Sequence, residues 1–140
     1  MRATYTRMFH DADGHSHLEE ASLELELRDF APPAEPVHIG ALEAAASAFV
    51  FGAPPEWSGE ASHPSPQRQL FCVMRGSVEV TMSDGTVHRF GAGDLILVED
   101  TEGHGHRTRV SGDEDLVMFG VALAAQPGGD PVPQARRNGA

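Results

Sequence analysis

His63-Pro-Ser-Pro-Gln67-Arg-Gln69-Leu-Phe-Cys-Val-Met-Arg-Gly76, with its downstream counterpart Gly93-Asp-Leu-Ile-Leu-Val-Glu-Asp-Thr-Glu-Gly-His104-Gly-His106, decides how this chain is read. Each stretch holds an apolar, strand-like run, Leu70 to Met74 and Leu95 to Val98, with glycine turns and polar groups at its ends. Successive side chains of a strand point to opposite faces, so Gln67 and Gln69 share one. Folding the two runs into a hairpin or barrel brings His63, Gln67, Gln69, His104 and His106 to a common polar end. Leu95-Ile-Leu-Val98 is apolar on both faces and belongs in the middle of the structure.

Outward from these runs, Gly76, Ser83-Asp-Gly85, Gly91-Ala-Gly93 and Ser111-Gly-Asp113 punctuate short strands at regular intervals, ending with Leu116 to Ala122. Regular short strands indicate an all-β barrel or sandwich. Upstream, Tyr5 to Phe9 predicts a first strand, Asp11-Ala-Asp-Gly14 a turn, and the segment with His15, His17 and Glu19 a second strand. Leu23-Glu-Leu-Glu-Leu27 alternates strictly, which predicts a strand with one buried face. The prolines of Ala31 to Pro36 cannot donate to a ladder and mark a connection before a strand at Val37 to Leu42. Glu43 to Ser47 is read as a turn or bulge leading into Ala48-Phe-Val-Phe51. Gly52 to Ser62 is a long loop whose Trp57 either folds over the mouth of the polar end or anchors the loop. The segment 126–140 has too few large apolar side chains to repay ordering and is expected to be a disordered tail behind a single domain spanning 1–125.

The 140 residues carry 21 acidic against 10 basic side chains, a net charge of -11, which repels phosphate backbones and anionic membrane surfaces. No nucleic-acid or membrane partner is expected. The single cysteine, Cys72, sits in an apolar run, excludes an intrachain disulfide and is read as a buried thiol. With no signal-peptide core at Met1 to His10 and no apolar run near the roughly 20 residues that span a bilayer, a soluble, cytoplasmic protein is expected.

The two opening stretches resemble the two sequence motifs of the cupin family, small antiparallel barrels of the double-stranded β-helix (jelly-roll) type. The family's first motif, G-x5-H-x-H-x3,4-E-x6-G, is similar to His63-x-Ser65-x3-Gln69-x6-Gly76, with Ser65 in place of the second histidine and Gln69 in place of the glutamate. The second, G-x5-P-x-G-x2-H-x3-N, aligns from Gly93, with Glu99, Thr101, His104 and Thr108 at its later positions. A loop two residues longer places His106 at the histidine instead; this alignment is preferred because Gly103 and Gly105 look like loop punctuation. The resemblance covers about residues 50–122 and implies an all-β fold and a homodimer.

It also implies a divalent metal, Zn, Ni, Fe or Mn, held by His63, Gln69 and His106, with His104 the alternative. An amide supplies no charge, so such a set holds metal more weakly than one with a carboxylate. The structural reading is that these imidazoles and amides bond each other in a polar barrel. Glu99 and Asp100 are read as a solvated loop, or as carboxylates that orient a nearby imidazole or serve as a general base. Arg68, Arg75, Arg107 and Arg109 are read as outward-facing partners of the acidic surface, and His38 and His88 as surface histidines. His15-Ser-His17 puts two rings on one strand face but lacks a third ligand. The first functional expectation is a binding protein for a small polar organic molecule, held through His63, Gln67, Gln69, His104 or His106 and Trp57. The alternatives are a metal-dependent enzyme of dioxygenase or isomerase type and a metal-free acid–base enzyme.

Overall fold

The computed structural model describes residues 1–59 and 61–125, and the expected tail at 126–140 lies outside them. Within these residues the chain is all strand, with no helix: β1 (Arg2–His10), β2 (Ser16–Glu24), β3 (Glu26–Arg28), β4 (Val37–Ile39), β5 (Ala45–Ala53), β6 (Gln69–Arg75), β7 (Ser77–Met82), β8 (Val87–Gly91), β9 (Leu95–Val98), β10 (His106–Ser111) and β11 (Leu116–Leu123). No helix is long and apolar enough to cross a membrane.

A six-stranded sheet, in the order β2-β1-β9-β6-β11-β5, faces a three-stranded sheet, β10-β7-β8. The facing is visible in the core: Met8, Ile96, Val98, Leu116 and Met118 from the larger sheet pack with Val78, Val80, Phe90 and Val110 from the smaller. Leu97, between two residues of that cluster, belongs instead to a second one with Tyr5, Ala21, Leu70 and Leu123 on the far face of the large sheet. Strand β9, apolar on both sides, accordingly lies inside the sheet, parallel to β1 and antiparallel to β6. The architecture is a single-domain jelly-roll barrel. Its second hairpin, β7 to β8, and the turn into β9 fall at the Ser83-Asp-Gly85 and Gly91-Ala-Gly93 signals.

One expectation is corrected and another is made specific. The alternating run Leu23 to Leu27 does not form one strand: β2 stops at Glu24, its pairing with Arg2 being the last, and Leu25 makes a single backbone bond to Met1 before β3 begins. With no further neighbour to pair, the chain leaves the sheet, and Leu27 is 61% exposed on the small β3–β4 ribbon. The turn or bulge expected at Glu43 to Ser47 takes the form of a bulge inside β5, where the pairing with β11 passes from Ser47 to Ala45 and skips Ala46.

Candidate functional site

A cavity of about 470 Å³ opens between the two sheets. Strand alternation decides what reaches it. From β6 come Gln69 and Phe71, from β5 Phe49 and Phe51, and from β10 His106 and Thr108, while the intervening Leu70, Val50 and Arg107 turn away. One wall is aromatic: Phe49 and Phe51 both meet Phe71 edge to face, and Trp57 meets Phe51 in the same way at 6.3 Å and 84°. Trp57 is held by backbone bonds from its own amide to Pro54 and from Val110 to its carbonyl. Trp57 therefore anchors the loop, and its ring stands in the aromatic wall of the cavity.

The opposite end is polar and is pinned by the backbone. His63 and His106 exchange both backbone hydrogen bonds, at 3.0 and 3.1 Å, and the Ser65 amide donates to the Asp100 carbonyl at 2.7 Å. The imidazoles of His63 and His106 stand with ring centroids 5.6 Å apart. The chain reaches this bridge through Gly105, whose φ is +74° and whose absent Cβ would overlap the His63 backbone. Only glycine fits there. His104, just before it, turns outward and stacks on His15 at 4.8 Å, and it does not line the cavity with His63 and His106.

Hydrogen bonds fix which atom each polar group presents. The Asp100 side chain is fully buried, and its Oδ2 lies 2.8 Å from Nδ1 of His106. A carboxylate only accepts, so Nδ1 carries a proton, and in the neutral ring Nε2 is left with a lone pair. Oδ1 of Asp100 is buried without a partner among the described residues, so the histidine is the carboxylate's side-chain contact. His63 Nδ1 faces the carbonyl of Pro64 at 3.0 Å, which sets the same tautomer in its neutral ring. Ser65 Oγ donates to the Gln67 carbonyl at 2.6 Å, so toward Gln69 it can only accept. The Gln69 amide nitrogen, 3.0 Å away, supplies that bond and leaves Oε1 as the free end. Gln69 and His106 are buried, whereas His63 and Gln67 are exposed at the rim.

Asp100 thus orients an imidazole, and the solvated-loop reading of Glu99 and Asp100 does not hold. Glu99 is also engaged, paired with Arg7 and with Arg68, which in turn reaches Glu43 at 2.7 Å. Arg109 pairs with Glu79 at 2.9 Å on the outer face of β7 and β10, and none of the four arginines lines the cavity. His17 lies between two carboxylates, Asp11 at 2.6 Å and Asp84 at 2.8 Å. The bond from Asp11 raises the imidazole above its ordinary value, and in return holds Asp11 down at about 2.

A metal has a poor fit to this donor set. Two imidazoles and an uncharged amide carry none of the negative charge that offsets dehydration of a dication. Among the described residues no three His, Cys, Asp or Glu side chains form a metal-holding group. Sequence reasoning missed the aromatic wall of Phe49, Phe51 and Phe71, although Gln67, Gln69 and Phe71 share a parity that would have found part of it.

The family model described as "Cupin domain" matches residues 49–122. Among solved structures, the chain is similar to the DMSP lyase DddQ of Ruegeria pomeroyi, at 20% identity and TM-score 0.47. The match covers 74% of this chain but only 49% of that one, so this chain spans about half the length of that enzyme. A Cupin 2 conserved barrel domain protein of Salinispora arenicola is similar at 22% identity and TM-score 0.44, covering 74% of this chain and 76% of the other. No curated protein matches the chain.

Proposed function

The chain belongs to the cupin-domain family, and on that premise we propose that its cavity binds a small organic molecule on which His106, oriented by Asp100, moves a proton. The observation that carries this reading is the buried Asp100–His106 pair. A carboxylate shielded from water and bonded to Nδ1 holds the ring in one tautomer and stabilises the imidazolium that forms when Nε2 takes a proton. The apolar wall supplies binding area without competing hydrogen bonds, and it keeps water from the reacting atoms.

For a carbonyl compound the step is a proton transfer. Nε2 of His106 removes a proton from the carbon beside the carbonyl, the C–H electron pair becomes the enolate, and the same nitrogen returns a proton. Donors for the enolate oxygen among the lining residues are the Gln67 amide and the Thr108 hydroxyl. The metal-dependent alternative, with the ion on His63, Gln69 and His106, has the weaker support because that set lacks a charged ligand.

The test uses 2-hydroxyacetophenone in deuterated water, following exchange of its methylene protons by NMR while the fluorescence of Trp57, the chain's one tryptophan, reports binding. Wild type should speed the exchange. His106→Gln and Asp100→Asn should each slow it by about 10²-fold or more, the usual contribution of a placed general base, while binding persists. Exchange that is unchanged in His106→Gln would overturn the assignment.

A further inference from the structure

We infer that the buried part of the cavity's polar end presents hydrogen-bond acceptors and selects an uncharged ligand that presents adjacent hydroxyl donors on an apolar, ring-sized body. The inference rests on the reading of the cavity as a binding site and names what that site takes. Its basis is what lies behind each polar group. His106 Nδ1 faces the Asp100 carboxylate, His63 Nδ1 faces the Pro64 carbonyl, and the Gln69 amide nitrogen faces a Ser65 oxygen whose own proton is committed to the Gln67 carbonyl. Each partner can only accept in that direction, so these three N–H groups are turned into the protein, and further donors in the lining are the Gln67 amide at the rim and the Thr108 hydroxyl on β10. What those three side chains leave for a ligand is Nε2 of His106, Nε2 of His63 and Oε1 of Gln69. Leaving a buried acceptor such as His106 Nε2 or Gln69 Oε1 unmatched costs more than matching it gains, so the site discriminates against heads that bring no donor.

Charge narrows the class further. Among the described lining residues there is no arginine to hold a carboxylate or phosphate, and no carboxylate to hold an ammonium. Asp100 is the nearest acidic group, and it sits behind His106 with its exposure at 0%. A charged ligand would therefore lose its hydration without meeting a lining arginine, lysine or carboxylate as counter-ion. The body is set by the wall: Phe49, Phe51, Phe71 and Trp57 meet edge to face at 5.7–6.3 Å, which suits a planar apolar ring. A volume of about 470 Å³ lies in the range of pockets that enclose one small organic molecule. A vicinal diol on an unsaturated ring, as in a catechol or an enediol, meets all of these conditions.

The test titrates the full chain with 4-methylcatechol, its bis-methyl ether, 4-methylbenzoate and 4-methylbenzylamine, reading Trp57 fluorescence with and without a chelator. The catechol should bind at least about tenfold more tightly than the ether, which keeps the ring but has no donors, and the benzoate and amine should gain nothing over the ether. Gln69→Leu should reduce the preference for the catechol over the ether to within about threefold. Ser65→Ala, which frees the Gln69 amide to turn its nitrogen into the cavity, should weaken the same preference without altering the cavity wall. Equal binding of ether and catechol would overturn the inference, as would tightest binding by the benzoate or the amine. Catechol binding that vanishes with the chelator would also overturn it, since a metal would then be reading the hydroxyls. Failure here leaves the exchange of 2-hydroxyacetophenone free to proceed, and loss of that exchange leaves catechol selectivity free to hold, so the two readings fail separately.

Discussion

Gln69 occupies the position where the family motif has a glutamate, and its neutrality decides more about this site than any other residue. A carboxylate there, beside two imidazoles, would make a dication site; the amide makes a hydrogen-bonding one. Gln69→Glu should therefore raise zinc or nickel affinity, because the change is nearly isosteric and adds the missing charge. The gain should vanish when His63→Ala is added. Without metal, the same carboxylate is buried and partly deprived of its bond to Ser65, so the apo variant should be less stable than wild type by about 1–3 kcal/mol. Calorimetric titration of the single and double variants, with chemical denaturation of the apo forms, measures both effects. A single variant that binds metal no better than wild type would show that His63, Gln69 and His106 do not converge.

Strand ends close the barrel beside the site. Ser16 at the start of β2 and Ser83 after β7 bond each other's amides at 2.6 and 2.8 Å, and Ser16 Oγ also donates to the Gly105 carbonyl, one residue from His106. His17 completes the clasp by joining Asp11 in the β1–β2 turn to Asp84 in the β7–β8 turn. Its folded value is raised above 6.5, so its contribution to stability is full below pH 6.5 and is lost as the pH rises through the folded value. Asp11 has the opposite sign: depressed from 3.8 to about 2, it contributes above pH 3.8 and loses that contribution as the pH falls toward 2. These side chains are partly exposed, so the effect is modest and screened by salt. In melting curves against pH, wild type should lose stability relative to His17→Gln on both limbs; parallel curves would show that the clasp contributes nothing. Elements were the most legible level of this chain. Glycine and Asp-Gly signals placed the turns from β6 to β11 because a tight turn is a local requirement, whereas the alternation of Leu23 to Leu27 misled because it says nothing about where the neighbouring strand ends.

Across the whole molecule, the site depends on contacts far apart in sequence. His63 is joined to His106 and Ser65 to Asp100, and the large sheet contains a parallel β1–β9 pairing that no local pattern announces. The sequence therefore showed which residues were polar and near the barrel end. It did not show that Asp100 would be fully buried against His106, because the two meet across the loop 101–105 in the assembled fold, beside the backbone bonds from His63 and Ser65. Nor did it show the amide and tautomer choices, which follow from partners in the assembled fold rather than from residue type. The chemistry proposed for the cavity requires this assembly to fix His106 with its proton on Nδ1 and a bare Nε2 facing the cavity. The direct measurement is a long-range proton–nitrogen correlation spectrum of the histidine rings at a pH where His106 is neutral, compared with Asp100→Asn. Wild type should show a single Nδ1-protonated tautomer, and the variant should lose that preference. A wild-type ring protonated on Nε2, or averaging between the two forms, would contradict the proposed chemistry.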